Sequence, residues 1–131
     1  MKRVRVGKLV RDKIADLIEE SGDRSTTQIL SKKEYVRELK RKAIEEAKEL
    51  SNAKTPTEVV MELADLKEVL SALSKTAGIS EREITKIQRS RRTSRGGFEK
   101  RLYLESVTLT DQSTWRSYYK IRARPKRKIN S

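Results

Sequence analysis

"KAIEEAKEL" (residues 42–50) and "MELAD" (residues 61–65) decide how this chain is read. Each stretch carries two carboxylates three residues apart, Glu46 with Glu49 and Glu62 with Asp65. Helix-surface carboxylates are normally solvated, and Glu19, Glu20 and Glu81 read that way. A helical wheel at about 100° per residue separates these four from the rest. On the 31–51 run the apolar side is Tyr35, Leu39, Ala43 and Leu50, with Glu46 inside that stripe and Glu49 at its edge. On the 57–77 run the stripe is Val59, Leu63, Leu66, Leu70 and Leu73. Glu62 lies between the directions of Val69 and Leu73, and Asp65 between those of Val69 and Ala72. Burying an ionised carboxylate without a partner costs several kcal/mol or more. Four that converge between packed helices repel one another unless a cation joins them. An i,i+3 pair has Cβ atoms about 5–6 Å apart, and packed helices lie about 8–10 Å apart, a gap that one or two divalent ions can fill.

Composition narrows the chemistry. The chain has 131 residues and neither cysteine nor histidine. Disulfides, thiol nucleophiles and zinc–cysteine sites are excluded, and a general base must be a carboxylate, a lysine, a tyrosine or a water activated by a metal. Ligands limited to oxygen favour a hard cation, Mg2+ or Mn2+, over zinc. The length fits one domain, and an apolar fraction of 34% predicts a thin core that a second subunit would thicken, so a homodimer or homotetramer is expected. No apolar run is long enough for a membrane span, and "MKRVRVGKLV" lacks a signal-peptide core, so a cytoplasmic protein without a membrane partner is expected. The net charge of +13 predicts attraction to polyanions.

The punctuation is helical. Ser31 with Glu34, Thr55 with Glu58 and Ser80 with Glu83 each form a capping-box pair, and Pro56 stands where a first helical residue tolerates it. Gly78 reads as a helix stop, and "KLVRDKIADLIEES" (8–21) reads as an earlier helix ending before Gly22. The expected fold class is all-α, a bundle of about four helices. "RLYLESVTL" (101–109) alternates apolar positions and reads as a strand or extended arm. The expected division is a helical domain over 1–107 and an extended basic tail over 108–131.

With these blocks in view, the chain resembles the all-α nucleoside triphosphate pyrophosphohydrolases, the MazG-like superfamily. "EEAKE" followed by "ELAD" is similar to the E-x-x-E…E-x-x-D signature of that superfamily. "KLVRDKI" and "RGGFEKRLYLESV" resemble flanking blocks of its phosphoribosyl-ATP pyrophosphohydrolase-like branch, in the same order, and the resemblance spans about residues 7–107. It implies a helical bundle that oligomerises, with Mg2+-dependent hydrolysis of a nucleoside triphosphate to the monophosphate and pyrophosphate. Carried over by motif position, Glu46, Glu49, Glu62 and Asp65 are the metal ligands and catalytic acids, and one of them or Glu45 holds the attacking water. Phosphoryl transfer asks for positioning and charge neutralisation, which needs neither histidine nor cysteine.

Lys8, Arg11, Arg95 and Lys100 are candidates for the substrate phosphates, and Gly96 and Gly97 can bring backbone N–H groups to an anion. Each has a structural alternative: Arg11 can pair with Asp12, and Gly96-Gly97 can simply end a helix. The 80–95 run is more cationic than nucleotide hydrolysis requires. The tail adds Arg122, Arg124, Lys126, Arg127 and Lys128 beyond Trp115, Tyr118 and Tyr119, a pattern that suits nucleic acid. The alternative function is therefore a nucleic-acid-binding module on the same fold.

Overall fold

A computed structural model describes residues 2–119. Its elements are α1 (Ile14–Glu20), α2 (Lys32–Asn52), α3 (Pro56–Thr76), α4 (Glu81–Arg95) and α5 (Trp115–Tyr118). The fold class is all-α, with no strand among the described residues. The chain divides into two compact units, residues 1–94 and 95–131.

The long helices start where their capping residues stand. Ser31 closes a full capping box: its Oγ accepts from the Glu34 amide at 3.2 Å, and Glu34 Oε1 accepts from the Ser31 amide at 3.3 Å. Thr55 Oγ1 accepts from the Glu58 amide at 3.1 Å, while Glu58 reaches one residue further back, to the Lys54 amide, at 2.9 Å. Ser80 Oγ accepts from the Glu83 amide at 3.1 Å. Gly78, at φ +70°, ends α3 in the left-handed conformation that a Cβ disfavours, and the Ile79 amide closes the end by donating to the Ser74 carbonyl at 2.9 Å.

In the first unit, α2 and α3 pack as an antiparallel pair joined by the short 53–55 link. Leu39 and Val69 are the buried apolar residues among those described. Around them Tyr35, Val36, Ala43 and Leu50 of α2 and Val59, Leu66, Ala72 and Leu73 of α3 are partly covered.

Three expectations are corrected. The first helix spans 14–20, not 8–21: Lys13 caps it without a side-chain hydrogen bond, and the stretch before it runs irregularly over the helix pair. Of the two readings of 101–109, the strand does not form, and Leu102, Tyr103 and Leu104 are exposed. The buried arc of α3 is rotated from the expected stripe, because α2 covers the Glu62–Val69 side and leaves Leu63 and Leu70 about half exposed.

Candidate metal centre

Glu46 follows Leu39 by seven residues, two turns of α2, and so shares its buried direction. It is the one buried charged residue among those described, 9% exposed. From α3, Glu62 and Asp65 come up on the same face, being i and i+3. The result is a three-carboxylate group: one oxygen each from Glu46, Glu62 and Asp65, all within 4.8 Å of one another. Two of these acids lie on one helix and one on the other, so the α2–α3 packing itself creates the cluster.

Electrostatics show what the cluster lacks. Burial pushes the Glu62 carboxyl above its ordinary range, and hydrogen bonding to Glu46 with the charges of Glu46, Asp65 and Glu49 pushes it further. Glu62 Oε2 is buried with no hydrogen-bond partner. A buried acceptor left without a partner is costly, and a cation would remove both that cost and the repulsion. The donor set also fits. Oxygens around a Mg2+ at about 2.0–2.1 Å lie about 3–4 Å apart, so a small rotamer adjustment closes this group on an ion. The cluster could hold a divalent metal ion.

Glu49 lies outside the three-acid group and is exposed, at the edge the wheel gave it, yet its charge still reaches Glu62. Glu45 is engaged by cations. Lys8 Nζ donates to its Oε1 at 3.2 Å and Lys42 Nζ stands 3.6 Å from its Oε2. Burial acts to raise Glu45, but the Lys8 hydrogen bond and the charges of Lys42 and Lys8 outweigh it and hold the carboxyl below its ordinary range. Lys42 also stands 3.7 Å from Glu46 Oε1. It escapes the wheel argument as one more cation on a charged helix, although its i,i+3 and i,i+4 spacing to Glu45 and Glu46 is the signal that marks it.

The predicted phosphate ligands divide. Arg11 Nη2 donates to Asp65 Oδ1 at 2.8 Å, so its ion pair is with the cluster and not with Asp12. Lys8 and Arg11 thus tie the N-terminal stretch across both helices at the acidic site. Arg95 and Lys100 belong to the second unit, both exposed, where the Arg95 guanidinium lies 4.9 Å from the centre of the Tyr118 ring. Gly96, at φ +85°, directly follows the last residue of α4. Arg122, Arg124, Lys126, Arg127 and Lys128 lie outside the described residues.

The raised Glu62 gives a pH signature for metal-free protein. A carboxyl raised in the folded state contributes stability that is present below its unfolded pKa of about 4.5 and is lost as pH rises through the folded value. Glu34, held low by the Ser31 side-chain and backbone hydrogen bonds, and Glu45 act oppositely, with stability present above about 4.5 and lost as pH falls through their folded values. In EDTA, thermal melts should therefore show Glu62→Gln gaining on the parent as pH rises from 4.5 towards 7. A stability difference that stays flat across that range contradicts the assignment of a crowded Glu62.

The protein is thus an all-α chain with a two-helix acidic centre suited to a divalent cation. No family model, curated protein or solved structure matches it. No helix among the described residues is long and apolar enough to cross a membrane.

Proposed function

We propose that the chain is a Mg2+-dependent nucleoside triphosphate pyrophosphohydrolase, releasing a nucleoside monophosphate and pyrophosphate. The observation that carries the reading is the convergence of Glu46, Glu62 and Asp65 between α2 and α3 with a buried, unpartnered oxygen on Glu62. The resemblance of "EEAKE", "ELAD", "KLVRDKI" and "RGGFEKRLYLESV" to the MazG-like superfamily supplies the reaction class. Glu49, at the rim beside Glu62, is the fourth ligand in this reading. Mg2+ at this centre would neutralise phosphate oxygens and activate the attacking water.

The chain's own residues do the positioning. Glu46, Glu62 and Asp65 fix where the cation sits. Glu45, a carboxylate that Lys8 and Lys42 hold in its ionised form, accepts the proton of the attacking water in this reading. Lys8 and Arg11 carry more than half-exposed side chains, and exposed ion pairs contribute only about 0–1 kcal/mol. They can therefore exchange their carboxylate partners for substrate phosphates at little cost.

This reading includes a homo-oligomer. Leu63 and Leu70 continue the apolar arc of α3 beyond what α2 covers, and Ile84 and Ile87 leave α4 with an uncovered apolar edge. A second copy laid against the helix pair would complete a four-helix bundle and bury those residues.

Product analysis tests the proposal. A panel of ribo- and deoxyribonucleoside triphosphates is incubated with Mg2+, Mn2+ or EDTA, and pyrophosphate is resolved from orthophosphate. The expected result is metal-dependent formation of monophosphate and pyrophosphate in equal amounts. Orthophosphate as the first product, or turnover that persists in EDTA, overturns it.

A further inference from the structure

Three of the chain's six aromatic residues gather on one surface turn in the second unit. Trp115 and Tyr118 meet edge to face at 5.1 Å between ring centres, Tyr118 and Tyr119 likewise at 4.8 Å, and Trp115 and Tyr119 lie nearly parallel at 6.2 Å. Arg95 lies over the Tyr118 ring. Four residues of helix are too few to persist on backbone propensity, so the ring contacts are what hold α5 together. Even so, Trp115 is 54% exposed, Tyr118 46% and Tyr119 51%. Each of the three residues keeps about half of its surface open to solvent after meeting its neighbours.

The surrounding charge says what such faces suit. Arg116 lies on α5 itself, and residues 120–131 follow with six basic residues and no acid. Cations that match a phosphate backbone, next to exposed aromatic rings that match unpaired bases, are the two components of single-strand recognition. A membrane surface also attracts basic and aromatic residues, but it needs a broad aliphatic face on a longer helix, and "DQSTWRSYY" (111–119) contains no aliphatic side chain.

We propose that Trp115, Tyr118 and Tyr119, with Arg116 on the same short helix, form a binding site for single-stranded nucleic acid. Bases stack on the rings and Arg116 meets the phosphates. This site shares no residue with the acidic centre and does not depend on the hydrolytic reading.

Trp115 is the only tryptophan of the chain, so its emission reports stacking directly. Full-length protein in EDTA is titrated with a fluorescein-labelled 20-nucleotide oligo-dT, with tryptophan emission and oligonucleotide anisotropy followed from 50 to 300 mM NaCl. The expected result is quenched emission and an affinity that falls linearly with salt on logarithmic axes. Trp115→Ala and Tyr118→Ala should each weaken binding by roughly 5- to 150-fold, the loss of one stacked base. Tyr118→Phe combined with Tyr119→Phe keeps the rings and should bind like the parent, which separates stacking from damage to the fold. Four results each overturn the proposal: no binding at 50 mM NaCl, alanine variants that bind like the parent, duplex DNA of the same length bound as tightly, or an emission change with phosphatidylserine vesicles but none with oligo-dT.

Discussion

Glu62→Gln is expected to lose divalent-metal binding and to lower Mg2+-dependent pyrophosphate release by about 10²- to 10³-fold, while the metal-free variant melts higher than its parent. The opposite signs follow from one cause. Glu62 is the acid most crowded by other acids, raised first by burial and then by Glu46, Asp65 and Glu49. In the proposed reading an ion at this centre would supply several kcal/mol of charge stabilisation in the transition state, and each 1.36 kcal/mol is a factor of ten in rate. A neutral amide cannot replace that ligand charge, so activity falls. Without metal, the same amide removes repulsion and the penalty on a buried charge, so stability rises. Isothermal titration with Mn2+, thermal melts in EDTA and product release with Mg2+ read the three effects separately. A catalytically dead variant that still binds Mn2+ like its parent would remove Glu62 from the ligand set. A variant with undiminished Mg2+-dependent turnover would remove the whole centre from the chemistry. Glu49→Gln makes the comparison sharper, because Glu49 is exposed at the rim and outside the three-acid group.

The wheel that isolates Glu46 succeeds because the period of α2 is long, regular and anchored by a complete capping box at Ser31. Seven residues from Leu39 to Glu46 return to the same direction whatever the helix packs against, so the inward acid is legible without a structure. The same reasoning misplaces the α3 stripe. Apolar residues extend well round that helix, and which arc is covered depends on where α2 lies. The start of α1 is misread for a related reason. Leu9, Val10, Ile14, Leu17 and Ile18 keep a helical period, but Lys8 and Arg11 are tied to Glu45 and Asp65. Those ion pairs have sequence separations of 37 and 54 residues, and nothing local announces them.

Leu39→Ala is the expected limit of what the helix pair tolerates. Truncating a buried leucine costs about 2–5 kcal/mol, against a total of about 5–15 kcal/mol for an ordinary domain. Here Leu39, 3% exposed, and Val69, 8% exposed, are the only buried apolar residues among those described. The helix pair alone thus stands at the low end of that range, and the variant should lose most of its far-UV helical signal in dilute, metal-free solution. Leu70→Lys supplies the contrast. Leu70 is 48% exposed, and an exposed substitution on an isolated pair should fall within about 0.5 kcal/mol of the parent. If a second copy covers that face, Leu70→Lys instead dissociates the oligomer and makes the urea midpoint fall with dilution less steeply than in the parent. Urea melts followed by circular dichroism at two protein concentrations, with light scattering for mass, distinguish the cases. A Leu39→Ala protein that unfolds within a few tenths of a molar urea of its parent would mean that the α2–α3 contact does not hold the fold. The acidic centre built on that contact would then lose its support, because Glu46 is placed opposite Glu62 and Asp65 only by the packing that Leu39 and Val69 maintain.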